Sequence, residues 1–424
     1  MAQRVTNELV EAQLEELFKY LPEDYSETAR KSGAFRRSRK IRNPMELMRL
    51  VLLYCGLDQV LREVAGNMTL LNERLSDSAV EKRLKACLPW LKEVVEQMWF
   101  KNISKQSGNL RLIVIDGSSL STMGANGTSY RLHIAIDLVQ LSIVHIEVSD
   151  RYVGESLAHY PLLEGDILVV DRGYNQPQEI INRSAEGILV TVRLNPYSMR
   201  LYTPGGTEKI QVFETLNASQ SDELSFPVWI ANKDKDYVPG WVHARRLPES
   251  KRAEARRKSR QNSKSKNPTQ ETLYYAEWQM ILTTVPPEIL DTATVLALYG
   301  LRWQVELFIK RLKSLLNIDK LRCAEDSTLG QVWLYGKLLF TTLLMKRVDE
   351  KFAVVGIEPQ KHRDATPWRF WKIIQQEIKS ILLGALFWKK ANYPAAEKVI
   401  KERPRRRKLQ TLPPRLEKLL IAFG

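Results

Sequence analysis

Apolar positions recur with two different periods along this 424-residue chain, and the changes of period divide it. Residues 1–105 carry helical spacing. Pro44 can open a helix at its first position, and MELMRLVLLYCGL follows with apolar residues spaced for burial. Leu57 to Ala65 reads as a short helix closed by Gly66. Leu75-Ser76-Asp77-Ser78 reads as the cap of a helix running through AVEKRLKACLPWL. From Leu110 the pattern becomes strand-like. Leu112-Ile113-Val114-Ile115 is a continuous apolar run ending at Asp116-Gly117, as in a strand buried on both faces with an acid at its carboxyl end. Ser129 to Val139 and Leu141 to Val148 predict two paired strands of a meander, and SLAHYPLL a helix. Asp166 to Val170 is a second buried strand, ending at Asp171-Arg172-Gly173-Tyr174. Asn175 and Gln178 predict a capping box for the next helix, with Pro177 in its first turn, and Gly187 to Val192 a further strand.

Residues 193–283 mix short strand signals (Lys209 to Val212, Phe226 to Ile230, Trp241 to Ala244, Tyr274 to Leu282) with Pro-Gly-Gly turns and the basic segment ESKRAEARRKSRQNSKSKN. They predict a mostly β insertion carrying a basic helix or loop. Residues 284–320 return to helix, interrupted at Gly300 and at the turn from Asn317 to Asp319. At about 3.6 residues per turn, Tyr299, Arg302, Lys310 and Lys313 lie within about 40 degrees of Glu306. Leu301, Val305, Phe308, Leu312 and Leu315 form a second, apolar stripe that packs on a core. Residues 321–424 are again helical, with apolar runs at Trp333 to Met345 and Phe370 to Phe387, and end in a basic tail from Lys401 to Lys408.

Composition narrows the partners. Lys and Arg exceed Asp and Glu by 15, and the sequence pI is near 9.5, which favours a polyanion, nucleic acid first. No apolar run approaches the roughly 20 residues of a membrane span, and the first residues read as an acidic amphipathic helix rather than a signal peptide. A cytoplasmic protein without membrane partners is expected. Three scattered cysteines and five dispersed histidines predict neither a disulfide framework nor a zinc site. Two short helices, a turn and a helix bearing Lys82, Arg83 and Lys85 suggest a helix-turn-helix DNA reader, and a helical bundle with solvated bases fits the same pattern. Arg36 to Arg42 forms a basic arm suited to phosphate, and Arg245, Arg246, Lys251, Arg252, Arg256, Arg257, Lys258 and Arg260 add a second such patch.

Two buried strands thus end in aspartates. In open α/β sheets ligands sit beyond the carboxyl ends of strands, so Asp116 and Asp171 are placed to share a site, while Asp137 and Asp166 read as turn residues. Asp116, Asp171 and Glu306 together can hold two Mg²⁺ ions, with Mn²⁺ as a substitute, for phosphodiester chemistry. No GxSxG elbow and no Walker loop accompanies them, so neither a nucleophilic serine nor a nucleotide cofactor is implied.

With LIVIDGSSL around Asp116, ILVVDRGYN around Asp171, and Tyr299, Arg302, Glu306 and Lys313 at Y-x2-R-x3-E-x6-K spacing, the chain resembles the DDE transposases of bacterial insertion sequences, in the insertion-sequence-four group. The resemblance covers residues 108–325 and implies an α/β, RNase H-like catalytic core interrupted by the insertion and flanked by helical ends. The organisation it predicts is a DNA-binding region (1–105), the first part of the core (106–192), the insertion (193–283), the catalytic helix (284–320) and the C-terminal region (321–424). It implies that Asp116, Asp171 and Glu306 bind the metals, and that Tyr299, Arg302 and Lys313 grip DNA phosphates; Lys310, Trp303 and Arg172 are further candidates for DNA contact. It also implies a homodimer acting on inverted-repeat ends and target DNA, often through a hairpin, with Trp229, Trp241 or Trp278 holding a flipped base. The rival readings are a metal-dependent nuclease that does not join ends and a non-catalytic DNA-binding derivative.

Overall fold

The computed structural model describes residues 11–100, 111–122, 125, 127–138, 142–262, 268–324, 326–354 and 368–384. The chain falls into two compact units. The first combines Met1–Val95 with Gln331–Lys351 and Arg369–Gly424; the second combines Glu96–Gly330 with Phe352–Trp368. The tail from Lys401 to Lys408 lies outside the described residues.

After a helical stretch at residues 11–18, the first unit continues with α1 (Tyr25–Lys31) and α2 (Pro44–Cys55). Pro44 occupies the first turn of α2, as its sequence predicts, and the Asn43 side chain caps it by accepting from the Glu46 N–H at 2.8 Å. Almost all of α2 is buried, so it forms the centre of this unit. The next helix, α3 (Leu61–Leu71), starts and ends later than expected, and Gly66 lies inside it. Asp58 takes a positive φ of 56° that closes the preceding turn, and Glu63 accepts from the Val60 N–H at 3.2 Å, which fixes the start. A glycine inside a helix costs about 1 kcal/mol, less than burial of Val64, Ala65 and Met68 returns. Ser76 caps α4 (Asp77–Ala86) through the Ala79 N–H at 3.3 Å, and the helix then breaks at Cys87 before α5 (Leu88–Phe100). Val80 and Leu84 anchor α4, which leaves Lys82 and Lys85 exposed and Arg83 half-buried. Residues 36–42 form no regular element, and buried Ile41 ties that basic arm down.

In the second unit nine strands form one sheet: β1 (Leu112–Leu120), β2 (Tyr130–Asp137), β3 (Ser142–Asp150), β4 (Ile167–Val170), β5 (Leu189–Arg193), β6 (Arg200–Tyr202), β7 (Glu223–Ala231), β8 (Tyr237–Arg246) and β9 (Trp278–Thr283). Their order is β3-β2-β1-β4-β5-β9-β8-β7-β6. The first three are an antiparallel meander, and β4 and β5 run parallel to β1. β9 then pairs antiparallel with β5, so the strands of the 193–283 segment extend the same sheet rather than building a separate layer. An open β5 edge needs a partner, and β9 supplies one.

The helices of this unit are α6 (Pro177–Ala185), α7 (Val212–Ala218), α8 (Glu249–Asn262), α9 (Gln270–Tyr275), α10 (Thr292–Leu301) and α11 (Trp303–Leu316). Several local expectations are corrected. SLAHYPLL forms only a 3-10 turn at Leu157–His159. Lys209 makes an isolated bridge to Tyr202, Val212 starts α7, and Tyr274 ends up in α9 rather than in β9. Asn175 and Gln178 make no capping box. Asn175 donates to Ser198 at 3.0 Å, and Gln178 accepts from Asn232 at 2.8 Å while donating to Asn182 one turn on at 2.9 Å, so other partners compete with the local cap. One sheet face carries Ile113, Ile115, Leu168, Val170, Val190 and Val192 into a core that includes Ile180 of α6 and Leu216 of α7. On the other, α11 packs on β1 and β2, while α10 packs on β5, β8 and β9.

Two further helices, α12 (Thr328–Val354) and α13 (Trp368–Leu383), return the chain to the first unit. Described segments on both sides of the second unit in the sequence therefore belong to the first. Lys337 of α12 pairs with Asp58 at 2.6 Å, and Arg49 of α2 donates to the Leu382 carbonyl at 2.6 Å. Arg347 of α12 is held by Glu377 of α13 at 2.7 Å. Among the described residues no helix is long and apolar enough to cross a membrane.

Candidate active site

Strand register brings the two aspartates together. In the parallel pair, Ile113 faces Leu168 and Val114 faces Val169. Side chains alternate along a strand, so two residues further on Asp116 and Asp171 point to the same face as Val114 and Val169. Asp171 follows β4 in extended conformation, with φ −80° and ψ 174°, which preserves that alternation. Asp116 is not at the end of its strand, as the apolar run suggested: β1 continues to Leu120, paired to β2 alone once β4 has stopped. It lies where the parallel pairing ends, so the aspartates still meet beyond the carboxyl end of β4. Burial pushes the Asp116 carboxyl up to about 6, with Glu306 and Asp171 adding to the rise and the Gly117 N–H and Arg302 opposing it.

The third acid arrives on the helix over that face. Val305, Phe308, Ile309, Leu312 and Leu316 are the buried positions of α11, a stripe shifted from the expected one; Leu301 is 46% exposed. Leu301 leaves the stripe because α10 ends and α11 begins at Arg302, so the two helices do not share one continuous period. Glu306 stands one turn into α11 and accepts from Arg302 Nη2. Arg302 Nε lies 3.9 Å from Asp171 Oδ1, and the Tyr299 hydroxyl donates to the same oxygen at 3.0 Å. Burial lowers the Arg302 guanidinium, but Asp171 and Glu306 raise it further, so it stays above its ordinary value.

The phosphate grips implied by the signature are thus placed against the acids. Tyr299 and Arg302 touch Asp171 and Glu306, while Lys313 Nζ donates to the Ser119 carbonyl of β1 at 3.1 Å. Lys310 is exposed and Trp303 is 56% exposed, on the rim. Arg172 donates to Asn195 at 2.7 Å; burial and the neighbouring Arg193 pull its guanidinium below the ordinary value. Lys82, Arg83 and Lys85 belong to α4 in the other unit. Of the three tryptophans, Trp278 is buried, whereas Trp229 and Trp241 are half-buried. In the basic segment, Arg245 pairs with Glu223, Arg246 and Arg256 with Glu277, Arg252 with Asp222 and Lys258 with Glu254. The density of bases that pointed to phosphate is therefore partly internal pairing.

Two groupings had no sequence signal. Glu155 places its carboxylate where a side chain would begin at Gly173 and lies in ordinary contact range of Gly117, beside both aspartate segments. His133, His145 and His159 converge near Glu147: the rings of His133 and His159 stack at 4.7 Å, and His145 lies 3.5 Å from the Glu147 carboxylate. Antiparallel register sets that meeting, since Glu147 faces His133 across β2 and β3.

The three acids fit a hard divalent cation in donor type, all oxygen and anionic. Among the described residues no three His, Cys, Asp or Glu side chains already enclose one ion, and here the Arg302 guanidinium lies between Asp171 and Glu306. A model of the transposase DDE domain matches residues 107–338, more than half of the chain and all of this site. The chain is 30% identical over 334 residues to the transposase for insertion sequence element IS421 of Escherichia coli, covering 76% of this chain and 90% of that protein. It is 29% identical over 333 residues, with the same coverage, to the putative transposase InsL for insertion sequence element IS186A of Escherichia coli (strain K12). A shorter likeness, 27% over 195 residues, reaches the transposase for IS231F of Bacillus thuringiensis subsp. israelensis, covering 42% of this chain and 40% of that one. The family implies an RNase H-like core and divalent-metal nuclease and transferase chemistry, and the β3-β2-β1-β4-β5 order is consistent with that core. The chain belongs to the DDE transposases of bacterial insertion sequences, in the insertion-sequence-four group.

Proposed function

We propose that this transposase binds the inverted-repeat ends of its own element, cuts there with two Mg²⁺ ions held by Asp116, Asp171 and Glu306, and joins the freed 3′ ends to target DNA as a homodimer. One observation carries the reading: the β1–β4 register and the first turn of α11 direct three carboxylates to one face of one unit, inside the matched region. The bound metals supply activation of the attacking oxygen and stabilisation of the leaving one. The chain's residues do the rest. The acids orient the ions, Tyr299, Arg302 and Lys313 hold the phosphates of the cut strand, with Lys310, Trp303 and Arg172 along its path, and a hairpin precedes joining. We assign end recognition to α4, through Lys82, Arg83 and Lys85, and salt-sensitive affinity to the exposed bases of α8.

Joining separates this reading from a simple nuclease. Labelled end DNA and a plasmid target should give joined products with Mg²⁺, and with Mn²⁺ in its place. Asp116→Asn, Asp171→Asn and Glu306→Gln should each lower cleavage by about a thousand-fold or more while DNA binding survives, since each removes a metal-binding charge. Cleavage by any of them near the wild-type rate would refute the assignment.

A further inference from the structure

The cation between the acids belongs to the protein. Arg302 Nη2 is bonded to Glu306, its Nε lies 3.9 Å from Asp171, and its side chain is only 13% exposed. The pairing is incomplete: Nε is buried with no hydrogen-bond acceptor, an unusual state for a guanidinium donor. Tyr299 adds a neutral donor to the Asp171 oxygen that faces Nε. Both residues flank the helix break, Tyr299 in the last turn of α10 and Arg302 at the junction, so the sequence sets them over the acids together. A divalent ion on Asp171 and Glu306 competes with these donors for the two carboxylates, one oxygen of each being already engaged, and the guanidinium charge repels it at such distances.

We infer that Arg302 is an internal counter-ion which a catalytic metal displaces, and that the displaced guanidinium, with the Tyr299 hydroxyl, becomes the grip for a DNA phosphate. This rests on the proposed function and extends it, because metal loading and strand gripping become one exchange. Before metal arrives, Arg302 holds Asp171 and Glu306 near each other without their mutual repulsion. Afterwards it carries a charge released beside the cut strand. By linkage, whatever favours the released arginine favours the metal to the same degree.

The exchange has a diagnostic sign, readable without DNA or turnover. Mn²⁺ binding is followed by titration calorimetry and by the electron paramagnetic resonance of the free ion, for the full chain and for Arg302→Gln, Arg302→Lys and Tyr299→Phe. With its competitor gone, Arg302→Gln should bind Mn²⁺ more tightly, by about five-fold or more. Arg302→Lys should stay near the wild type, because it keeps the charge. Tyr299→Phe should tighten binding less. Weaker binding by Arg302→Gln would mean that arginine only holds the carboxylates in place; unchanged binding would mean that it does not compete. Either result overturns the exchange. Should Arg302→Gln fold poorly, Tyr299→Phe carries the same sign, and Mn²⁺ binding by Tyr299→Phe no tighter than the wild type would overturn the exchange. Asp116→Asn separates the two failures: if it leaves Mn²⁺ binding untouched, the metal assignment itself falls.

Discussion

Asp116, Asp171 and Glu306 owe their places to different local rules. Each aspartate stands on or just past a strand whose apolar neighbours are buried, which is why the runs Leu112 to Ile115 and Ile167 to Val170 announced them. Glu306 lies off the buried stripe of α11, and its spacing from Arg302 and Tyr299 gave its neighbours. What a linear reading could not supply is where each cation points, because Arg302 and Tyr299 find their partner Asp171 more than a hundred residues away. The histidines teach the same lesson and carry a measurable consequence. His133 is fully buried, and burial first, with His159 beside it, lowers its pKa to about 4. Between that value and the ordinary 6.5 the unfolded chain binds the extra proton, so stability is lost as pH falls through this window. From pH 7.5 to pH 5 the loss from this residue is about 2 kcal/mol. Urea unfolding of the wild type and of His133→Gln at both pH values should differ by that amount in pH dependence, and equal slopes would remove His133 as the cause.

At the scale of elements, the first unit is organised by close helix approach. A side chain begun at Gly336 of α12 would overlap Cys55 of α2, and one at Gly56 would overlap the Phe340 ring, so glycine lets these backbones meet. Beside that contact, Lys337 is buried and its ammonium faces Asp58 at 2.6 Å. Asp58 has a positive φ of 56°, a conformation asparagine accepts readily, so Asp58→Asn removes the charge while sparing the backbone. Taking away one partner of a buried pair should cost about 3 kcal/mol, and adding Lys337→Met should recover part of it. A double-mutant cycle by chemical denaturation measures the difference, and a cost under about 0.5 kcal/mol would show the pair to be solvated. Element type was largely readable: Pro44 and Ser76 marked the starts of α2 and α4. Element limits were less so, since the end of α3 and the break at Arg302 answer to packing rather than to local propensity.

For the whole molecule the formal charge of +15 sets the electrostatics. Much of the basic helix α8 and its surroundings is already paired, which leaves Lys251, Arg257 and Arg260 outside any salt bridge among the described residues. Replacing these three by glutamine should lower the slope of log affinity against log salt by about two to three for a duplex of random sequence, near 0.9 per phosphate contact. Fluorescence anisotropy from low to moderate salt reads it, and an unchanged slope would place these bases away from DNA. The amino-acid sequence by itself determined the periods, the acids at the ends of apolar runs, the charged face around Glu306 and the basic balance, because each is written within a window of one strand or a few helical turns. Only the tertiary structure decided that β9 closes the β5 edge, that helices from before and after the sheet in the sequence share one unit, that three histidines meet, and that an arginine stands between two of the acids. Those outcomes depend on pairings between distant segments, which are chosen by burial and register across the whole fold and leave no local period to read.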